Sequence, residues 1–478
     1  MLFNSLDFAI FLPIVFFLYW FVFQRELKLQ NLLLLISSYI FYAFWDWRFL
    51  GLILISTILD YGIGRAMHQE EQAGKRKSLL FISLIVNLGI LGIFKYYDFF
   101  LENFVAAFSF FGREIKPTSL EIILPVGISF YTFQTLSYSL DIYRGKLAPS
   151  KDFIAFASFV SFFPQLVAGP IERASRLLPQ MEKARNFEYG KAVDGCRQIL
   201  WGLFKKVVIA DNCAEYVNLI FSNPGDYSGS TLALGAFLFA FQIYGDFSGY
   251  SDIAIGTARL LGIDLMKNFA FPFFSRDIAE FWRRWHISLS SWFRDYLYIP
   301  LGGSREGSYK SIRNIFLIFL ISGFWHGANW TFLFWGFFHA LLFFPLFLGK
   351  RNRKHLNIVA KGKLFPSGRE FFSILSTFIL TTFAWIFFRA EHMGHAWVYL
   401  QGLFSPTLFS LPEVFPLYTL ALILFFISIE WLGREQEYAI EGLGLKWIKP
   451  IRWSFYLSMG VLIFLFSGTK QAFIYFQF

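Results

Sequence analysis

Phe324-Trp325-His326-Gly327-Ala328-Asn329-Trp330 sets an imidazole inside a stretch that otherwise reads as membrane-embedded. Before it, Asn314 to Gly323 is almost all Ile, Leu and Phe; after it, Thr331 to Leu348 is aromatic and aliphatic apart from His339. An ionisable side chain is costly at bilayer depth, so one found there either ties helices together by hydrogen bonds or carries chemistry. Position alone leaves His326 open to both readings, and the rest of the chain has to separate them.

Composition decides the class. The 478 residues are 56% hydrophobic and 22% aromatic, with 66 Phe, and only 16% are charged, against about 25% in soluble domains. This is the profile of an all-α polytopic membrane protein. The formal net charge of +10 comes without a long basic run or a recognition motif, so nucleic acid is not an expected partner. The excess is assigned to cytoplasmic loops beside anionic lipid. Cys196 and Cys213 are the two cysteines, too few for a disulfide framework or a thiol metal cluster. The N-terminus lacks the basic region and cleavage site of a signal peptide, so Asp7 to Phe23 reads as a retained first span.

Further spans are expected near 30 to 45, 49 to 64 and 78 to 94, each close to the roughly 20 residues a bilayer requires. Arg25 and Lys28 follow the first span; Arg65, Lys75, Arg76 and Lys77 follow the third; only Arg48, beside Asp46, follows the second. That asymmetry places the N-terminus outside the cell. Asp60, in the third span, is read as a bundle-facing carboxylate without a chemical role.

Beyond residue 120 the apolar segments cease to look like simple spans. Leu124 to Tyr138 mixes Pro125 and Gly127 with a ladder of Ser129, Thr132, Gln134, Thr135 and Ser137, so it should face protein or a wet cavity; polar glue between helices is the plainer reading, substrate contact the sharper one. Phe162 to Arg173 carries Pro164 and Pro170 around a run too short to span, the mark of a re-entrant or broken segment. In the segment 231 to 267, Asp246 and Asp252 stand six residues apart. On one regular helix they lie roughly 120° off a common face with a rise of about 9 Å, which argues against a shared proton and for separate buried roles. Arg276 to Pro300 holds Trp282, Arg283, Arg284, Trp285, His286, Trp292, Arg294 and Tyr296. Composition leans toward an amphipathic helix at the headgroup level; the alternative is a cavity wall that holds His286 and offers Arg283, Arg284 or Arg294 to an anionic ligand.

Five motifs occur in one order: Leu124 to Gln134, Pro164 to Arg173, Asp246 to Asp252, Trp282 to Gly303 and Phe324 to Trp330. In this the chain resembles the bacterial membrane-bound O-acyltransferases, most of all the alginate O-acetylation branch, with the D-alanyl transfer proteins of teichoic acid modification as cousins. The resemblance covers about residues 1 to 400. It implies a bundle of tilted and broken helices around a transmembrane tunnel, forming one membrane-embedded domain: N-terminal spans over 1 to 110, a catalytic core over 120 to 345, and C-terminal spans over 370 to 478. The family's catalytic histidine falls on His326 and its second active-site position on His286. The resemblance also implies acetyl-CoA or an acylated carrier protein as donor with no bound cofactor, an extracytoplasmic SGNH-type acetyltransferase as partner, a polysaccharide acceptor reached directly or through that partner, and a place in the bacterial inner membrane.

The residues can support such chemistry. Acyl transfer from a thioester to a hydroxyl needs a base, and neutral imidazole suits that task near neutral pH. An oxyanion needs donors, which His286, a Trp indole or Asn329 can supply. There is no Gly-x-Ser-x-Gly nucleophile elbow, and neither cysteine lies near a histidine in sequence, which favours direct transfer without an acyl-enzyme. Arg283, Arg284, Trp285, Arg294, Asn329, Asp246 and Gln134 are the candidate substrate contacts. If one helix ran on through Gly336, His339 would stand roughly 20 Å from His326, outside the reaction.

Lys350 to Lys363 reads as a basic cytoplasmic loop, His392 and His395 as solvated residues in a loop, and 371 to 388, 414 to 431 and 452 to 467 as closing spans, followed by an aromatic tail, Phe473 to Phe478, at the interface. Three other functions remain open: D-alanyl or other acyl transfer from a carrier protein to a cell-wall polymer, an acyl or glycan transporter, and a non-catalytic scaffold. A transporter would favour inverted repeats, and none is visible.

Overall fold

The computed structural model describes residues 1–110, 123–167, 169–305, 307–468, 471 and 473–474. The fold is all-α, with no strand among the described residues. Five helical stretches are long and apolar enough to cross a membrane: Leu27–Gln69, Ala73–Phe110, Gly229–Leu260, Trp330–Leu348 and Gly368–Arg389. The chain is therefore a multi-pass membrane protein. It divides into two compact units, Met1–Ala192 with Ala258–Leu265, and Val193–Thr257 with Met266–Phe478, a division that cuts through the expected catalytic core of 120 to 345.

In the first unit the helices Leu27–Asp46, Leu50–Gln69 and Ala73–Leu91 carry the expected early spans, and Leu6–Phe17 continues through a π-helical turn to Val22. The Ile128–Tyr143 helix is buried along nearly its whole length, so its polar ladder must find partners inside the protein. Gln134 Nε2 donates to Phe159 O at 2.5 Å, and Gln165 Nε2 returns a bond to Gln134 Oε1 at 2.7 Å. Ser137 Oγ accepts the N–H of Ala174 at 3.1 Å. The segment with two prolines is broken: Phe153–Ser161 ends at Phe162, and a single turn, Phe163–Leu166, follows. Ser38 Oγ takes the freed Phe163 N–H at 3.0 Å.

In the second unit Gly229–Leu260 is one uninterrupted helix, and the two carboxylates part as its geometry requires. Asp252 pairs with Lys205 (2.5 Å) and accepts from Gln198 (2.8 Å), while Asp246 pairs with Lys206 (2.7 Å). The two consecutive lysines stand on a π-helical stretch, Phe204–Ala210, and point to different carboxylates. The helix starts under a cap in which Ser228 and Thr231 hydroxyls bond Glu413; those bonds hold its carboxyl well below the usual range, at about 2. Ser308–His326 and Trp330–Leu348 form an antiparallel hairpin. Gly323 and Gly336 let it close: a Cβ at Gly336 would collide with Phe319 O, and one at Gly323 with Phe332 O.

Two expectations fail here. Arg276 to Pro300 is not an interfacial helix, because Trp285, His286, Trp292 and Phe293 are buried; the segment breaks into Ile278–Arg284 and Ile287–Phe293, and Arg276, Arg283 and Arg284 are bonded within the protein. The end of the chain does not lie wholly at an interface either: Phe473 and Ile474 are buried, while Tyr475 to Phe478 fall outside the described residues.

Candidate active site

Each imidazole sits at the break of a helix. The Ser308–His326 helix ends on His326 because Gly327 takes up extended backbone (φ −164°) and Asn329 caps the next helix, its Oδ1 accepting from Thr331 N at 3.0 Å. Asn329 Nδ2 donates to Glu391 O at 2.7 Å, so each end of this amide has a bond within the fold. His286 occupies the left-handed region (φ 44°) between the two short helices, a conformation that costs of order 1–3 kcal/mol in a non-glycine residue and persists only when its surroundings impose it. Two backbone bonds impose it: Ala270 N to Arg284 O and Ile287 N to Asn268 O, both 2.9 Å.

His286 is fully buried and His326 is 3% exposed. Their ring centroids are 6.4 Å apart. Around His326 stand Trp325 (5.0 Å), Trp335 (5.2 Å) and Phe388 (5.2 Å); Phe247 meets the His286 ring edge-on at 4.6 Å. Asn268 sets the tautomer of His286. Its Nδ2 donates to Ser251 Oγ (3.1 Å), which leaves Oδ1 facing His286 Nδ1 (3.1 Å) and the Ser288 hydroxyl (2.8 Å). An amide oxygen accepts, so the imidazole proton is assigned to Nδ1 and the lone pair to Nε2. That Nε2 is buried without a hydrogen-bond partner among the described residues, as is the indole Nε1–H of Trp335. Other buried polar atoms, Tyr131 Oη and Thr257 Oγ1 among them, also lack a partner among these residues; these two stand apart because their rings flank His326, at 6.4 and 5.2 Å. The arrangement revises one sequence reading: neutral His286 presents an acceptor at Nε2, not an oxyanion donor, and Trp335 offers the N–H.

The other candidates scatter. Trp285 is buried in an aromatic layer, 5.0 Å from Trp385 and 5.5 Å from Phe281. Arg283 donates to the carbonyls of Asn352 and His355, both at 2.7 Å, and Arg284 pairs with Glu280 at 2.8 Å. Both guanidiniums pin backbone and a buried carboxylate in place of an anionic ligand. Arg294 pairs with Asp295 and stays 61% exposed; it lines a cavity of about 250 Å³ with Ser322, Asn352 and Arg353. Asp246 is taken by Lys206 and by the chain's end. Gln134 belongs to the first unit and is engaged there by Phe159 and Gln165. His339 does not lie on the helix of His326 but on the returning arm of the hairpin, where it accepts from Trp282 Nε1 at 3.3 Å and packs 4.8 Å from Trp335. Sequence reasoning did not single out Asn268, Ser288 or Phe247, and it named a Trp indole as a donor without saying which. Asn268 lies in an irregular segment without periodicity, and one indole among fifteen tryptophans carries no mark.

Residues 147–375 match the family model described as MBOAT, membrane-bound O-acyltransferase family. The chain is 40% identical over 409 residues to a probable alginate O-acetylase AlgI of Azotobacter vinelandii, covering 85% of this chain and 78% of that one. The chain belongs to the membrane-bound O-acyltransferase family. A second such acyltransferase, the peptidoglycan O-acetyltransferase of Helicobacter pylori (strain ATCC 700392 / 26695), is 34% identical over 100% of this chain and 98% of its own. The teichoic acid D-alanyltransferase of Bacillus subtilis (strain 168) is 30% identical over 56% of this chain and 70% of its own. The present chain is thus a membrane O-acyltransferase, and the buried imidazole pair lies within the part that the family model matches.

Proposed function

We propose that this acyltransferase moves an acetyl group from a cytoplasmic thioester, across the bacterial inner membrane, for O-acetylation of an envelope or secreted polysaccharide. The observation that carries the reading is the pair of buried imidazoles 6.4 Å apart, one of them with an unpartnered ring nitrogen. His326 takes the proton of the acceptor hydroxyl as that oxygen attacks the thioester carbonyl carbon. The Trp335 N–H stabilises the oxyanion, and His286 Nε2 accepts a hydrogen bond from an N–H or O–H of a bound substrate. Collapse of the intermediate breaks the carbon–sulfur bond, and the imidazolium of His326 returns its proton to the thiolate. No enzyme-bound acyl group is required.

The donor is acetyl-CoA or an acylated carrier protein, and the 250 Å³ cavity suits its approach. Its lining includes Asn352 and Arg353 in the basic 350 to 363 loop, and Ser322, one helical turn before His326, about 5–6 Å along the axis. Arg25, Lys28, Arg65 and Lys75 to Lys77 assign the early loops, and an extracytoplasmic N-terminus, by the positive-inside rule. The acceptor hydroxyl belongs to the polysaccharide or to an SGNH-type extracytoplasmic partner that relays the acetyl group; two relatives named for O-acetylation of alginate and of peptidoglycan, at 40% and 34% identity, favour acetyl over D-alanyl. The test is His326→Ala in a strain lacking the native gene. Polysaccharide acetylation should fall by about 10³-fold or more while the protein accumulates in the membrane as before; acetylation at the normal level would overturn the assignment.

A further inference from the structure

The mechanism leaves a buried ionic cluster unused. Lys206 Nζ lies 2.7 Å from Asp211 Oδ1 and 2.7 Å from Asp246 Oδ1, all three side chains being nearly inaccessible. Two carboxylates against one ammonium leave the cluster short of donors, and the end of the chain supplies what is missing. The N–H of Ile474 donates to Asp246 Oδ2 at 2.6 Å, and Gln471 O accepts from Lys206 Nζ at 3.3 Å. Between them the fully buried ring of Phe473 packs 4.3 Å from Tyr250 and 6.2 Å from Phe247. Phe247 is the residue after Asp246 and meets His286 edge-on at 4.6 Å. The end of the chain, the cluster and the imidazole therefore form one contiguous series of contacts.

We propose that Gln471, Phe473 and Ile474 act as a strap that positions His286: the Ile474 N–H locks onto Asp246, Phe473 buttresses Phe247, and Phe247 fixes the imidazole against which the substrates react. Phe473 and Ile474 are positioning residues, since neither touches the imidazole pair itself. A strap held by a backbone amide and a single ring suits this task, because ring placement to within fractions of an ångström governs transfer rates. The proposal rests on the reading of His286 and His326 as the reacting centre.

The experiment uses full-length protein in lipid nanodiscs, acetyl-CoA as donor and the host's exopolysaccharide, or its extracytoplasmic partner, as acceptor. Phe473→Ala should lower kcat per folded molecule about tenfold with KM for acetyl-CoA unchanged, beyond the loss of thermal stability that emptying a buried site brings, and Phe473→Tyr, which restores a ring, should recover most of the rate. Ile474→Pro, which deletes the N–H, should behave like Phe473→Ala, whereas Ile474→Ala, which keeps it, should stay within twofold of wild type. Wild-type kcat in Phe473→Ala overturns the strap. So does a loss that follows the fraction of unfolded protein across all four variants. His326→Ala in the same assay separates the two readings: if it retains activity, the imidazole-pair assignment falls; if it is inactive while Phe473→Ala is unimpaired, the strap alone falls.

Discussion

Asp60 and His286 are both ionisable, both wholly buried and both far from any exposed water, yet their surroundings are built in opposite ways. Asp60 Oδ1 accepts from Ser83 (2.5 Å) and Ser139 (3.1 Å), and Oδ2 from Asn87 (2.8 Å); Asn87 Oδ1 in turn accepts from Ser56 (2.7 Å) and Thr135 (3.2 Å). Every polar side-chain atom of that cluster has a partner, and the cluster joins the helices Leu50–Gln69, Ala73–Leu91 and Ile128–Tyr143. At His286 the network stops halfway. Asn268 satisfies Nδ1, and Nε2 has no hydrogen-bond partner among the described residues, as Trp335 Nε1, on a ring 5.2 Å from His326, has none. A closed network ties helices together. An open one leaves bonding capacity which, in the function proposed above, a substrate completes.

The largest effect expected from breaking the contrast is at the open network. His286→Ala should cut transfer per folded molecule by about 10²-fold or more; it also removes the Nδ1 bond to Asn268 and a buried ring, so the rate is normalised to folded protein, and a rate within threefold of wild type would show that the gap at Nε2 is not used. Asn268 comes next. Asn268→Ala frees the tautomer of His286 and should cost about 10- to 100-fold, whereas Asn268→Asp, which still presents an oxygen to Nδ1, should lose less. Equal losses in the two variants would mean that Asn268 matters for packing and not for the proton on the ring. Initial rates with acetyl-CoA, normalised to folded protein, check both.

The contrast also explains what could be read in advance. Runs of Ile, Leu and Phe are set by the bilayer, so spans near 30 to 45, 49 to 64 and 371 to 388 were legible from hydropathy alone, and they fall on the helices Leu27–Asp46, Leu50–Gln69 and Gly368–Arg389. The break after Phe162 was legible from the two prolines; the one at Gly327 was not, and the sequence left His326 and His339 open to a single helix, whereas the structure puts them on two. The arginines misled: Arg283 and Arg284 looked like anion binders, but a guanidinium with five donors satisfies loop carbonyls equally well, and these two do so at Asn352, His355 and Ala270. Asn268 and the Phe473–Ile474 strap were illegible for a different reason. Their roles depend on a backbone amide, an amide oxygen and one ring meeting across long sequence separations, and no periodicity records such a meeting.

The smallest effect on transfer should come from the closed network, and it gives the contrast its control. Asp60→Ala removes the acceptor for Ser83, Ser139 and Asn87 together, and each donor left buried without a partner costs about 1–3 kcal/mol. The variant should therefore melt at a lower temperature and accumulate less in the membrane, while each folded molecule transfers acetyl within twofold of wild type. Asp60→Asn keeps one acceptor oxygen and should lie between the two in stability. Should Asp60→Ala instead fold normally and lose transfer, the rule that a satisfied network is structural would fail in this protein, and the polar ladder of Thr135 and Ser139 would have to be counted with the reacting groups. Thermal denaturation and normalised initial rates on the same preparations distinguish these outcomes, since of the two networks only the open one is expected to move the rate per folded molecule.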